Sequence, residues 1–175
     1  MLLALLLGCV AAWNPERPGP FDLAVPDGWS LTRNYRFFGS STVVLTREDA
    51  AISLTRRPEH GAAARLPLDL VAGVRALSWG RRLGVENSLL AEHDLLIDGR
   101  RACAVTGQRR LRTARSAYTM VFTRTPGHTV EIALHAPGGA LDGYAADWGT
   151  FLDGLHFAAP PEPEAPLFTE DAWRR

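Results

Sequence analysis

The stretch SLLAEHDLLIDGRRACAVTGQRRLRTARSAYTMVFTRTPGHTVEIALHA, residues 88–136, decides the fold. It reads as four strands, at 88–97, 101–112, 116–125 and 128–136. The alternation is clearest in the last of them. Val130, Ile132, Leu134 and Ala136 face one way; Thr129, Glu131, Ala133 and His135 face the other, the period of two that a strand imposes. Asp98-Gly99 is a hairpin turn signal, and Thr125-Pro126-Gly127 joins the last pair. Strands 101–112 and 116–125 carry apolar residues on parts of both faces, which predicts central positions covered on both sides. Short connections between neighbours make the pairing antiparallel.

Upstream, Phe21 to Val25 alternates and Pro26-Asp27-Gly28 turns the chain. Extended runs follow from Trp29 to Phe38 and from Thr42 to Thr46, and Ile52 and Leu54 mark a further short strand. The period then changes. After Pro67, Leu70, Val71, Val74, Leu77 and Leu83 recur at helical spacing, predicting an amphipathic helix over 67–83 with these residues on the sheet. Asp69 sits near its positive end and Gly84 terminates it. A second helix is predicted over 139–155, with Leu141, Tyr144, Ala145, Trp148, Phe151 and Leu152 as its stripe; Phe157 closes the domain. The fold class is therefore α+β, a single antiparallel β-sheet of about six to eight strands with two main helices packed on it, over residues 21–157.

Three motifs within this domain carry a resemblance. Val25-Pro26-Asp27-Gly28-Trp29, Ile97-Asp98-Gly99-Arg100-Arg101-Ala102, and the closing Tyr144-x3-Trp148-x2-Phe151-Leu152-x4-His156-Phe157 are similar to the PsbP-like superfamily. That superfamily includes the photosystem II subunit PsbP, a Ran-binding nuclear import factor and bacterial lipoproteins of the LpqN and DcrB kind. The resemblance covers about 21–157 and implies an α/β sandwich that binds proteins and has no shared catalytic centre. It transfers no binding residue, because members bind unrelated partners through different surfaces.

The chain begins MLLALLLGC, and Leu6-Leu7-Gly8-Cys9 resembles the lipobox of bacterial lipoproteins. The resemblance implies cleavage before Cys9 and acylation of that cysteine. Residues 1–8 are then a signal peptide, and 9–20 a lipidated tether with three prolines. The apolar run is far shorter than the roughly 20 residues that span a bilayer. No basic residue precedes it, so a start further upstream is expected. Residues 158–175, rich in Pro and acids, are a tail without the composition to pack. The address implied is the bacterial cell envelope, on a membrane facing the periplasm or the outer surface, reached through lipid on Cys9.

Composition adds bounds. With 46% hydrophobic and 22% charged residues, the chain can build a core without staples. Its two cysteines, Cys9 and Cys103, imply no disulfide framework, and Cys103 lies in an apolar run where a buried, inert thiol is expected. All 19 basic residues are Arg. Residues 56–115 carry twelve Arg against six acids, and residues 116–175 carry three Arg against eight. The basic middle either meets an acidic partner or lipid headgroups, or is neutralised within the fold by the acidic third. Nucleic acid is not expected.

The residues offer little chemistry. His128, Glu131 and His135 invite a metal, but Glu131 and His135 are about 13 Å apart along a strand and read as polar residues on its solvent face. In Glu92-His93-Asp94 the histidine faces away from both acids. Ser40-Ser41 and Ser116 lack a nucleophile context, and Pro137-Gly138-Gly139 lacks a phosphate-loop lysine. His60 and His156 stand alone. Trp29, Trp79 and Trp148 read as core; Trp13 lies in the tether, and Trp173 in the tail, where Phe168 to Arg175 could fold onto a partner. No cofactor and no metal are called for, and the protein is not expected to be an enzyme. The expected function is a membrane-anchored protein-binding or assembly module with an unknown envelope partner. A carrier of apolar small molecules or lipids is the alternative, and a hydrolase with a cryptic site is a second.

Overall fold

The computed structural model describes residues 21–157 apart from short breaks at 38, 61–63, 82–85, 112–113 and 139. Its strands are β1 (Phe21–Leu23), β2 (Ser30–Phe37), β3 (Ser40–Arg47), β4 (Ala50–Pro58), β5 (Glu86–Ile97), β6 (Arg100–Leu111), β7 (Ala114–Thr125), β8 (His128–Pro137) and β9 (Leu155–Phe157). Helix α1 spans Leu68–Arg81, and α2 spans Ala145–Asp153 after a 3-10 turn at Leu141–Tyr144. The predicted signal peptide, the tether with Cys9 and Trp13, and the tail with Trp173 lie outside the described residues, as do Leu83 and Gly84.

Seven strands form one antiparallel sheet in the order β2-β3-β4-β8-β7-β6-β5. The chain builds one edge as a β2–β4 meander, crosses by α1 to the far edge, and returns through β5 to β8, which pairs with β4. This is the α+β architecture expected. β1 leaves the meander: it pairs with β9 in a separate two-stranded ribbon, Phe21 opposite Phe157. Residues 155–157, expected as the helix end and its closure, form that second strand. Three residues are too few to show a period, and only the partner at the other end of the chain makes them a strand.

The two helices cover opposite faces of the sheet. One face buries Leu45, Ile52, Leu54, Val121, Ile132 and Leu134 beneath Tyr144, Phe151, Leu155 and Phe157. The other buries Cys103, Val105, Tyr118, Met120 and Phe122 with Ala72 and Ala76 of α1. β6 and β7 contribute to both cores, as their two-faced apolar pattern predicts.

Turns fix the registers. Asp98 (φ 49°) and Gly99 (φ 70°) form a two-residue loop between paired Ile97 and Arg100, the left-handed pair that a type I′ hairpin requires. Gly28 (φ 78°) supplies the third residue of a turn in which the Trp29 N–H donates to Pro26 O at 3.1 Å. Trp29 then enters the core, where its Nε1 donates to Asp147 at 3.2 Å. Arg47 also binds Asp147, and its guanidinium lies over the Trp29 and Tyr144 rings at 5.5 and 4.8 Å. The β3–β4 turn, the Trp29 turn and α2 are thereby clamped together. Trp148 is half-buried and stacks on Phe151 at 6.1 Å. Both tryptophans take the core role expected of them; the Trp79 side chain lies outside the described residues.

Candidate functional site

Two features of the α1 side of the sheet stand apart from ordinary core packing. The first is the helix itself. Ala72 and Ala76 are fully buried against the sheet, whereas Leu70, Val74 and Leu77 are 49%, 57% and 43% exposed. At 3.6 residues per turn, Leu70, Val74 and Leu77 share one face, opposite Ala72 and Ala76. This corrects the sequence expectation, which set Leu70, Val71, Val74 and Leu77 on the sheet; of these four only Val71 is partly covered. The reason is size. Small side chains at 72 and 76 let the helix lie close over Cys103, Val105 and Met120, leaving the branched residues outward. The readable signal was Ala72-x3-Ala76-x3-Gly80, a small residue every four positions.

Leu66, 42% exposed, precedes the helix beside exposed Arg65. A helix apolar on two opposite faces is suited to burial on both. Covering the exposed half of each of these side chains would release roughly 1 kcal/mol.

The second feature is a polar group set into the same side of the sheet, on β6 to β8. Tyr118 pairs with His135 across β7 and β8, so their side chains share a face. Arg109 is buried, its guanidinium 4.3 Å from the centre of the Tyr118 ring and its Nη1 3.4 Å from His135 Nδ1. With a cation on Nδ1, the imidazole accepts there and carries its proton on Nε2. Burial, reinforced by the Arg109 charge, pushes the His135 pKa down to about 4. Glu131 is also buried, its Oε2 4.0 Å from Arg57 Nε. The expectation that Glu131 and His135 sit on a solvent face is therefore wrong: Thr129 and His135 are half-covered and Glu131 is inside. Alternation places them on one face but says nothing about what covers it.

Other candidates fall apart as chemistry. The Cys103 thiol is buried and donates to Glu92 Oε1 at 3.4 Å; burial first, then that carboxylate, raises its pKa to about 12. No thiolate is available for attack near neutral pH. Asp94 is paired with Arg101 at 3.2 Å, and exposed His93 lies on the opposite face of β5. His128 Nδ1 lies 3.0 Å from Arg56 Nη2 and 2.9 Å from Pro126 O, and Glu59 binds Arg124 and Thr129. Asp98 is held low in pKa mainly by hydrogen bonds from His156 and from the Phe157 N–H; it ties β9 to the β5–β6 turn. Ser41 is buried and Ser116 half-buried. Among the described residues, no three His, Cys, Asp or Glu side chains are placed to hold a metal. No helix among them is long and apolar enough to cross a membrane.

No family model matches the sequence, and no curated protein sequence matches it. Solved structures do match. Cyanobacterial PsbP from Synechocystis aligns with TM-score 0.52 at 9% identity, covering 84% of this chain and 98% of that one. The fold is PsbP-like. A Pseudomonas aeruginosa protein of unknown function shares it, with TM-score 0.50 and 15% identity over 77% of this chain and 99% of that one. LpqN, described as involved in cell envelope biogenesis of Mycobacterium tuberculosis, aligns more loosely, with TM-score 0.42 and 15% identity over 76% and 79%. In this chain the PsbP-like sheet carries α1 with its large apolar residues outward.

Proposed function

We propose that this chain is a non-catalytic docking module of the bacterial cell envelope, lipid-anchored through Cys9, that holds a partner protein on the outward face of α1. The observation that carries the reading is the double-sided helix. Leu70, Val74 and Leu77 are exposed on an element whose opposite face already packs the core. The partner is a protein segment whose apolar side chains match the stripe, with an acidic flank toward Arg65. The polar group at Arg109 and His135 stiffens the sheet beneath the helix, and Cys103 fills space; neither supplies a nucleophile or a proton donor near neutral pH.

The anchor and the docking face are tested separately. Cys9→Ser is expected to leave the domain folded and move the protein from the membrane to the soluble fraction, because the acyl chains of a lipoprotein supply the stable anchoring. Unchanged membrane association would remove the anchor from the account. Affinity capture from membranes is expected to recover a partner with the wild-type helix and to lose it with Leu70→Gln/Val74→Gln. Equal recovery by both proteins would remove the docking face.

A further inference from the structure

The described chain ends at a defined place. The Phe157 N–H donates to Asp98 Oδ2 at 3.1 Å, and the Arg100 guanidinium lies 5.8 Å from the Phe157 ring centre. The chain therefore leaves the domain at the β5–β6 hairpin, on the edge of the sheet. Helix α1 lies across β5, β6 and β7 on the other face. Between the two, Leu96 projects from the edge strand. It pairs with Arg101 two positions from the Asp94–Cys103 pair, so it shares the α1 side with Cys103, and it is 71% exposed.

Eighteen residues follow Phe157, and their chemistry complements that surface. Residues 159–166, APPEPEAP, form a proline-rich spacer that reaches about 25 Å if extended at ~3.1 Å per residue. Generic layer spacings put the outside of α1 roughly 25 Å from the β9 layer. Layers are stacked at ~10 Å and a helix is ~10 Å thick. Beyond the spacer, Leu167, Phe168 and Trp173 offer apolar side chains. Glu162, Glu164, Glu170 and Asp171 outnumber Arg174 and Arg175, and exposed Arg101 stands opposite Leu96 at the sheet edge.

We infer that residues 167–173 of this chain dock on the outward stripe of α1, passing the β5 edge at Leu96, and occupy it until a partner displaces them. The tail is then an internal stand-in for the partner, giving a docking site that is covered in the free protein and opened by competition. The inference rests on the stripe being a docking face. Its test uses purified protein with no partner present, so its failure leaves partner docking standing.

The experiment takes the full chain with Cys9→Ser, which leaves only buried Cys103, and adds Val74→Cys together with Ala172→Cys. A short bismaleimide is expected to join the two within one chain, with a yield independent of protein concentration. Thr32→Cys with Ala172→Cys, on the far edge strand, is expected to stay unjoined. In the Val74→Cys single variant, adding Phe168→Ser/Trp173→Ser should speed maleimide labelling about tenfold, as when a tail bound nine parts in ten is released. A cross-link that grows with concentration would assign the stripe to a second copy instead. Equal yields from positions 74 and 32, or labelling unchanged by the tail substitutions, would overturn the inference.

Discussion

Ala72→Leu/Ala76→Leu is expected to destabilise the domain by about 2–6 kcal/mol, since inserting bulk into a closed core costs roughly 1–3 kcal/mol per site. Both alanines are fully buried, and the residues beneath them, Cys103, Val105, Tyr118, Met120 and Phe122, are buried to within 2%. Side chains packed this closely leave little room for added bulk. Leu70→Gln/Val74→Gln makes the opposite change, removing large apolar side chains, yet each is expected to shift stability by no more than about 0.5 kcal/mol. Gln is a good helix former, so backbone propensity is nearly unchanged. The usual order, in which losing Leu hurts and gaining it does not, is thus reversed along one helix. Denaturant titration of the two double variants checks it; a larger loss from Leu70→Gln/Val74→Gln would put those side chains inside.

Acid is expected to weaken the fold through His135. Its pKa is pushed down to about 4 by burial and then by Arg109, from an ordinary value of 6.5. Above pH 6.5 the imidazole is neutral in both the folded and unfolded states, and the full stability is present. As pH falls from 6.5 to 4, the unfolded chain takes up a proton that the folded protein refuses, so stability falls across that window and levels off below it. A shift of this size corresponds to a loss of about 3 kcal/mol at most. His135→Gln keeps an acceptor toward Arg109 and cannot titrate, so its stability should be flatter over the window. Chemical denaturation at pH 7.5, 6, 5 and 4 provides the readout, and parallel curves for the two proteins would show that His135 is not the titrating group.

Much of the fold was legible because strand alternation depends on local spacing. The four strands between 88 and 136 and the Asp98-Gly99 hairpin emerge within a few residues of their observed bounds. Strand β9 was not legible, since Leu155-His156-Phe157 becomes a strand only by meeting Phe21 to Leu23 from the opposite end of the chain. Helix α1 was found at 67–83 and lies at Leu68–Arg81, but its facing was inverted. Hydrophobic periodicity weights Leu and Val above Ala, whereas close packing on a flat sheet favours the small residue. The burial of Glu131 and His135 was likewise out of reach: the period of two assigns a face, and only tertiary structure decides whether that face is wet. Arg109, in a run of surface-like arginines, gave no local sign that it would lie against Tyr118.

The most direct measurement of the central claim is contact from the outward stripe in the native membrane. A photo-crosslinking phenylalanine analogue is placed at Val74 in the full chain, with the same group at Thr32 as reference, and the products are identified by mass spectrometry. One discrete partner protein is expected to be joined through position 74 and absent from position 32. Products from position 74 confined to lipid or to the chain's own tail, or the same products from both positions, would contradict it.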